Sequence, residues 1–194
     1  MSTSTVTLLL LMMALAHAVP LGSSRTSDLT RILVLVQKIL QSLDQIHGKT
    51  VTSPGLTFDP SSHTPELHLM MSQLQMPPTP VLKPISPSFT QEDCVRRMWE
   101  GLEQQQRIVG DLSSRLSALS DLHADLRDLQ AQMTAMMLAM GVVNSPPAQS
   151  EGSILTRLHG DYETQVATHL TLKTLRAFCQ DLRRSLRMLG SQTL

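Results

Sequence analysis

The stretch DLHADLRDLQAQM, from Asp121 to Met133, decides the fold class because its apolar residues recur at the spacing of an α-helix. At about 100° per residue, four of them fall on one side of a helix: Leu122, Leu126, Leu129 and Met133. A second, narrow stripe is acidic and contains Asp121, Asp125 and Asp128. The stretch therefore predicts an amphipathic helix. It leaves open whether the carboxylates are solvated surface or touch a partner.

Three other segments of the chain have the same helical period. With the helix around the opening stretch, the predicted long helices are Ser27–His47, Thr90–Asp111, Leu116–Met140 and Asp161–Leu189. Ser27 or Asp28 can cap the first of them, and Gly48 is expected to end it. Aromatic residues make up only 3 % of the chain, which also favours helices over sheets. The sequence therefore predicts an all-α protein.

The lengths of the connections predict how the helices are arranged. The first connection has about forty residues and the third about twenty, whereas the second has only a few. An extended chain needs about nine residues to cover the 30 Å of a 20-residue helix. The two long connections can therefore run back along the bundle, while the short one can only turn over. This arithmetic predicts an up-up-down-down four-helix bundle with two long crossover loops.

The first long connection contains a short helix of its own, predicted in TPELHLMMSQL from Thr64 to Leu74. Thr64 can cap it, Pro65 suits the first helical position, and Glu66 follows in the first turn. We therefore expect an extra helix within the first crossover loop.

The beginning of the chain predicts the compartment. Val6–Ala16 is an apolar run of about eleven residues, too short for a bilayer, which needs about twenty. Ala16, His17 and Ala18 form a small-x-small cleavage pattern. We expect residues 1–18 to be a secretory signal peptide and residues 19–194 to form one domain. The mature protein is then secreted and extracellular, without membrane insertion.

The chain carries no motif for catalysis or metal binding. His63 and His68 lie in one region, but no carboxylate or cysteine joins them at ligand spacing. We therefore expect no enzyme, no cofactor and no metal. Sixteen Lys and Arg balance sixteen Asp and Glu, so capture by nucleic acid or anionic lipid is not expected. Cys94 and Cys179 are either a bridge between neighbouring helices or two buried free thiols.

The outward face of the first helix carries a stripe of basic and amide residues: Arg31, Lys38 and Gln45. Val34 is the one aliphatic residue among them, and it is either an ordinary exposed residue or part of a small binding patch. In the predicted bundle the first and third helices are neighbours. Their basic and acidic stripes can then form one composite surface, with plainly solvated faces as the alternative.

Five blocks of sequence, in order along the chain, match one family: VPLG (19–22), ELHLMMSQLQMPPTP (66–80), CVRRMWEGL (94–102), LHADLRD (122–128) and THLTLKTLRAFCQDLRRSLRML (168–189). With them the chain resembles the granulocyte colony-stimulating factor family, which are long-chain helical cytokines of the interleukin-6 group, and it looks like a non-mammalian member. The resemblance implies a secreted growth factor that stimulates proliferation and differentiation of the granulocyte lineage. Its implied partner is a class I cytokine receptor, with a monomeric ligand in an assembly of two ligands and two receptors.

The resemblance also assigns residues to two receptor-binding surfaces. The major site, against the cytokine-binding module of the receptor, would use Arg31, Val34, Gln37, Lys38, Asp125 and Asp128. The second site, against the immunoglobulin-like domain of another receptor chain, would use Glu66 and Tyr162.

Departures from the family pattern affect one contact and the disulfides. A glutamate that is usual in the first helix is replaced by Val34. Cys94 keeps a disulfide position, but its usual partner falls near Pro84, and Cys179 lies where a leucine is usual. A bridge between Cys94 and Cys179 would therefore be a different solution from the one the family uses.

Two other functions are compatible with the sequence. An interleukin-6-like inflammatory cytokine would share the fold and differ in its receptor. A secreted lipid-binding bundle is a weaker alternative, suggested by the methionines of the third predicted helix: Met133, Met136, Met137 and Met140. Their spacing continues the leucine stripe, so packing in the core is favoured for them, as it is for Trp99.

Overall fold

The structure, a computed structural model, describes residues 21–58, 65–143 and 152–191, without the side chains of residues 21–26 and 65–68. The expected signal peptide, residues 1–18, lies outside the described residues. The described chain contains five α-helices: α1 Leu21–Thr50, α2 Pro65–Gln73, α3 Gln91–Ser113, α4 Ser120–Ala139 and α5 Asp161–Ser191. Short 3₁₀ turns, Ser117–Leu119 and Ile154–Arg157, precede α4 and α5. None of these helices is long and apolar enough to cross a membrane.

All four predicted long helices and the short helix of the first loop are present, which confirms the all-α fold. The predicted start of α1 is wrong. The helix begins at Leu21 and runs through Ser27 and Asp28, so neither residue caps it. Serine or aspartate inside a helix costs only about 0.5 kcal/mol relative to alanine, and a local capping preference is therefore easily overridden.

The predicted end of α1 is also wrong, because the helix continues past Gly48 to Thr50. The Thr50 hydroxyl donates to the carbonyl of Ile46 at 2.8 Å, and the backbone N–H of Val51 donates to that of His47 at 2.8 Å. These two bonds occupy carbonyls of the last helical turn, which would otherwise lack partners.

The ends of α3 and α4 follow local rules that the sequence carries. Thr90 and Asp93 form a capping box at the start of α3: each side chain accepts a hydrogen bond from the backbone N–H of the other, at 3.0–3.1 Å. At the end of α4, Gly141 adopts a φ of +70°, which glycine reaches without strain. The N–H of Val142 then donates to the carbonyl of Met137 at 3.0 Å, as in a Schellman motif.

The predicted apolar stripes form one continuous core. The four apolar residues of the α4 stripe are each at most 1 % exposed: Leu122, Leu126, Leu129 and Met133. Met136 and Met137 are buried beside them. Trp99 is packed against this core and donates its indole N–H to the hydroxyl of Thr134 at 3.0 Å. The prediction that the methionines of α4 belong to the core is therefore confirmed for these positions, and Met140 is half-buried against it.

Contacts between residues that are far apart in sequence identify the neighbouring helices. Helix α1 packs on α4, where Lys38 meets Asp125, and on α5, where Asp44 meets Arg176. Helix α3 packs on the same two helices: Trp99 contacts Thr134 of α4, and Gly101 lies against Phe178 of α5. The short helix α2 packs on α5. Because α1 lies beside α4, the basic and acidic stripes of these two helices come together.

The suggested bridge between Cys94 and Cys179 is not formed, and both residues are buried free thiols. The thiol of Cys94 hydrogen-bonds with Ser185 on α5. Ser185 lies six residues beyond Cys179, which is about 9 Å along a helix. A disulfide needs α-carbons within about 7 Å of each other. The two cysteines therefore lie at different levels of the α3–α5 contact.

Candidate functional site

The predicted basic and acidic stripes meet in an ion pair between α1 and α4. Lys38 Nζ lies 2.6 Å from Asp125 Oδ1. The lysine side chain is 62 % exposed and the aspartate side chain only 14 %. The hydrogen bond and the negative charge of Asp125 raise the pKa of Lys38, and Asp128 and Asp121 contribute in the same direction. Asp125 is therefore already neutralised within the protein, whereas the lysine remains accessible.

An open groove of about 460 Å³ lies beside this ion pair, along the same α1–α4 boundary. Residues from both helices line it: Thr30, Arg31, Val34 and Leu35 from α1, and Asp128, Ala131 and Gln132 from α4. Val34 is 62 % exposed, so its apolar side chain is available to a partner. The groove therefore combines an apolar floor with one basic and one acidic group.

Asp128 differs from Asp125 in its surroundings although both belong to the acidic stripe. Asp128 is exposed and lines the groove. Among the described residues it has no ion pair within 4 Å, while Asp125 is bound to Lys38. Asp121, two turns before Asp128, is exposed and lies outside the groove. The structure thus separates the three carboxylates of one stripe into a paired, an available and a solvated group.

Gln37 does not belong to this surface. Its side-chain oxygen accepts a hydrogen bond from Arg183 Nη1 of α5 at 2.9 Å. Successive residues of a helix are about 100° apart, so Gln37 and its neighbour Lys38 face different helices. Of the six residues implied for the major site, the structure brings together five and places Gln37 at the α1–α5 boundary.

Four other residues line the groove and were not predicted from the sequence: Thr30, Leu35, Ala131 and Gln132. Each lies three or four residues from a predicted one: Thr30 from Val34, Leu35 from Arg31, and Ala131 and Gln132 from Asp128. Residues at this spacing are neighbours on a helix surface. Helical spacing was therefore the signal that could have identified them.

A second candidate surface lies where α2 packs on the start of α5. An open groove of about 410 Å³ there is lined by Met70 and Gln73 of α2 and by Tyr162 and Glu163 of α5. Tyr162 is 52 % exposed. Glu66 belongs to the first turn of α2, but its side chain lies outside the described residues. The structure therefore brings the helix of Glu66 beside Tyr162 without fixing the carboxylate.

The end of α2 is attached to the rest of the protein through Arg157. Its Nη1 donates to the carbonyls of Leu74 and Gln75 at 3.2 and 3.3 Å. Gln75 adopts a φ of +46°, which turns the chain out of the helix. The second surface is thus built on a helix that is held at its end by two hydrogen bonds.

Within the described residues there is no group of three or more His, Cys, Asp and Glu that could hold a metal ion. His63 and the side chain of His68 lie outside those residues.

Comparison with protein-family models found none that matches this chain, and a search of curated proteins found no significant match either.

Proposed function

We propose that the protein is a secreted four-helix cytokine, a ligand that acts by joining receptor chains and performs no chemistry of its own. More particularly, we propose a granulocyte colony-stimulating factor-like growth factor that binds a class I cytokine receptor and stimulates the granulocyte lineage. The α1–α4 groove with its neighbouring ion pair is the major receptor-binding surface. The α2–α5 surface with Tyr162 engages the second receptor chain.

Contacts between the helices support the up-up-down-down arrangement that such a ligand needs. In three pairs of helices, residues near the start of one helix lie beside residues near the end of the other: Leu29 beside Gly190, Cys94 beside Ser185, and Gly110 beside His123. Along α1 and α4, Arg31 and Val34 lie near Asp128 and Gln132, whereas the later Lys38 meets the earlier Asp125. Each pair is antiparallel, as expected if α1 and α3 point one way and α4 and α5 the other.

The observation that carries this proposal is the meeting of Arg31, Val34 and Asp128 in one groove. These residues come from two helices that are far apart in sequence. The residue pattern had predicted one composite surface of the two helices as an alternative to solvated faces, and the resemblance had assigned these residues to receptor binding. An exposed aliphatic residue between two opposite charges is a suitable centre for an interface, where apolar contacts carry affinity and charges at the rim set orientation.

The groove also predicts the chemistry of its partner. Val34 and Leu35 offer apolar surface, so the matching receptor residue should be an apolar or aromatic side chain. Beside that apolar side chain, the receptor should carry a cation that faces Asp128 and an acidic or amide group that faces Arg31. Asp125 keeps its lysine in the free ligand, so its contribution to binding depends on displacing or sharing Lys38.

Receptor binding with matched variants tests the major site. Asp128→Ala should weaken binding to the receptor ectodomain by roughly tenfold or more, because few residues dominate an interface. Asp121→Ala is the matched control: it removes the same carboxylate from the same stripe, outside the groove, and should bind as wild type. Equal binding by both variants, with their helical content unchanged, would argue against this surface.

Val34→Glu tests the apolar centre of the groove. A carboxylate there adds a second negative charge near Asp128 and replaces apolar contact area, so we expect a loss of roughly tenfold or more in receptor affinity. Gln45→Glu, which adds the same charge on the same exposed face of α1 about three turns away, is the control. If Val34→Glu binds as tightly as Gln45→Glu, the groove is not the contact.

Tyr162→Ala tests the second surface. This variant should bind one receptor chain normally and fail to assemble the larger complex, which light scattering of the ligand–receptor mixture measures. Tyr162→Phe keeps the exposed ring and should assemble more completely than Tyr162→Ala. Unchanged assembly by Tyr162→Ala would remove the α2–α5 surface from the mechanism.

The alternatives predict other outcomes in the same experiments. An interleukin-6-like cytokine would bind a different receptor of the same class, so a panel of ectodomains distinguishes the two. The lipid-binding alternative requires the bundle to open, because Met133, Met136 and Met137 are buried in the core of the closed bundle. Liposome flotation at neutral pH should accordingly leave the protein in the lipid-free fraction.

A further inference from the structure

A buried pair of histidines lies between α1 and α5. His47 Nε2 and His169 Nδ1 are 2.9 Å apart and share a hydrogen bond, and both side chains are buried. The other ring nitrogen of His169, Nε2, is buried without a hydrogen-bond partner. A neutral imidazole carries one N–H, so one hydrogen between the two facing nitrogens satisfies both of these nitrogens when both rings are neutral. The site is therefore suited to two neutral histidines.

The segment 51–58, which follows α1, covers this pair. Phe58 stacks on His47 with ring centroids 4.5 Å apart. The guanidinium of Arg176 lies 3.9 Å from the centre of the same Phe58 ring and pairs with Asp44 at 2.5 Å. The segment itself contains no charged residue. Charges near the pair therefore come from the helices.

Hydrogen bonds hold the beginning of the segment on α5 and on the last turn of α1. The side-chain oxygen of Gln165 accepts from the backbone N–H groups of Thr52 and Ser53, each at 2.8 Å. The N–H of Val51 donates to the carbonyl of His47 at 2.8 Å. These three amides report directly on whether the segment is seated.

An additional proton on the pair is disfavoured by its surroundings. Burial lowers the pKa of His47, and burial with the neighbouring His47 and Lys173 lowers the pKa of His169 to about 4. The charged groups of the packed elements are Asp44 on α1, Lys173 and Arg176 on α5, and Arg115 in the turn after α3, which reaches Thr164. Arg176 lowers the pKa of His47 further, and only Asp44 acts in the opposite direction.

We propose that the His47–His169 pair is an acid-sensitive latch that holds segment 51–58 on α5 at neutral pH and releases it on acidification. The first added proton places a full charge in a dry site that already faces Arg176. A second leaves two N–H groups facing each other at 2.9 Å and breaks the hydrogen bond. In the open state the rings are solvated and take up protons near their ordinary pKa of 6.5.

The direction of the effect follows from the proton balance. Below about pH 6.5 the open state binds more protons than the closed one, so each histidine favours opening by up to about tenfold per pH unit. Above that pH neither state is protonated and the latch stays closed. Gln165 lies one turn after Tyr162, so opening would also loosen the second receptor-binding surface. That consequence rests on the proposed function, whereas the latch does not.

Hydrogen exchange of the full chain without receptor tests the latch. Protection of the amides of Val51, Thr52 and Ser53, corrected for the intrinsic rate, should fall about tenfold per pH unit or more between about pH 6.5 and 5. Amides at the centre of α3 should keep their protection. His169→Gln removes one titrating ring and should at least halve the logarithmic slope. His123→Gln, a histidine on α4 outside the cluster, should keep the wild-type slope.

A second variant covers the case in which His169→Gln does not fold. Phe58→Ala opens the pair to water, so its rings titrate at similar pH in both states and the slope should shrink. Wild-type protection that stays constant from about pH 7.5 to 5 would overturn the latch. So would a wild-type slope in the folded Phe58→Ala or His169→Gln variant. Because no receptor is present, these results are independent of whether the protein is a cytokine.

Discussion

Helix α3 packs tightly on Phe178 of α5 at Gly101, and replacement of this glycine by alanine gives a stability prediction that can be worked out from the structure. A Cβ added at Gly101 would lie 2.8 Å from Cζ of Phe178, and closer still to Cε2. Carbon atoms in good contact are about 3.5–4.0 Å apart, so the ring would have to retreat by about 1 Å. Phe178 is buried in the core and has little room to do so.

Two opposing effects determine the sign of the change. Alanine in place of glycine inside a helix gains about 1 kcal/mol of stability from backbone entropy. Overpacking of a filled core typically costs about 1–3 kcal/mol. Gly101→Ala should therefore lose between about 0 and 2 kcal/mol of unfolding free energy.

Gly110 on the same helix is the matched control. A Cβ there would lie 2.9 Å from Nε2 of His123, whose half-exposed ring can swing outward. Gly110→Ala should therefore gain up to about 1 kcal/mol. The two variants should differ by about 2 kcal/mol, which is about 1 M in the urea midpoint at a typical slope of about 2 kcal/mol per M.

Urea denaturation followed by circular dichroism measures the difference, and a double variant identifies its cause. Phe178→Leu removes the atoms that the new methyl group would meet, so Gly101→Ala should cost less in that background. A Gly101→Ala variant as stable as Gly110→Ala would refute the close packing of α3 on α5. An equal cost of Gly101→Ala with and without Phe178 would refute the ring as its cause.

Three further predictions concern the pH dependence, the thiols and a helix cap. The unfolding free energy should be highest near neutral pH and fall as the pH drops from about 6.5 toward 4, by about 1.4 kcal/mol per pH unit for His169. Burial also lowers the pKa of His47, which should steepen the fall, and denaturation midpoints at several pH values measure it. Burial raises the pKa of Cys179 to about 12 and also raises that of Cys94, so a thiol reagent at mildly alkaline pH should modify neither in the native protein and both in denaturant. Thr90→Ala should destabilise the protein by about 1 kcal/mol in the same urea assay, because it removes the N-cap of α3, whereas Thr90→Ser should retain most of the stability.

The helices were predictable because their apolar spacing is a local property of the sequence. Their ends were less so, as two glycines illustrate. Gly141 ends α4 because it takes a positive φ and the following Val142 bonds back to the helix. Gly48, in contrast, does not have a positive φ, and α1 continues through it to Thr50. A glycine in the sequence therefore does not show by itself whether a helix ends there. The hydrogen bonds that the following residues make determine whether the helix ends or continues.

The ion pair between α1 and α4 could be predicted from the sequence, whereas the histidine pair between α1 and α5 could not. The pairing of Lys38 with Asp125 required only that two stripes on neighbouring helices should meet. No helical stripe in the sequence indicates the histidine latch. It depends on the position of Phe58 in the non-helical segment 51–58, and contacts with α5, more than a hundred residues later in the chain, fix that position, such as the one with Arg176. A flexible connection has no period from which such a contact can be read.

The different surroundings of Asp125 and Asp128 on α4 determine where the acidic stripe can attract a receptor cation. If both carboxylates were free, a receptor cation could be attracted equally by either, and the groove would not fix its position. With Asp125 bound to Lys38, the available negative charge is concentrated at Asp128, which lines the groove with Val34 and has no ion pair to the lysine. A receptor chain would then have to place its cation and its apolar side chain at one defined spacing. Lys38→Ala removes a positive charge and releases Asp125, so it should strengthen the attraction to simple cationic surfaces and relax the choice between receptors. A comparison of binding across related ectodomains measures this, and an unchanged preference would contradict the role of the ion pair.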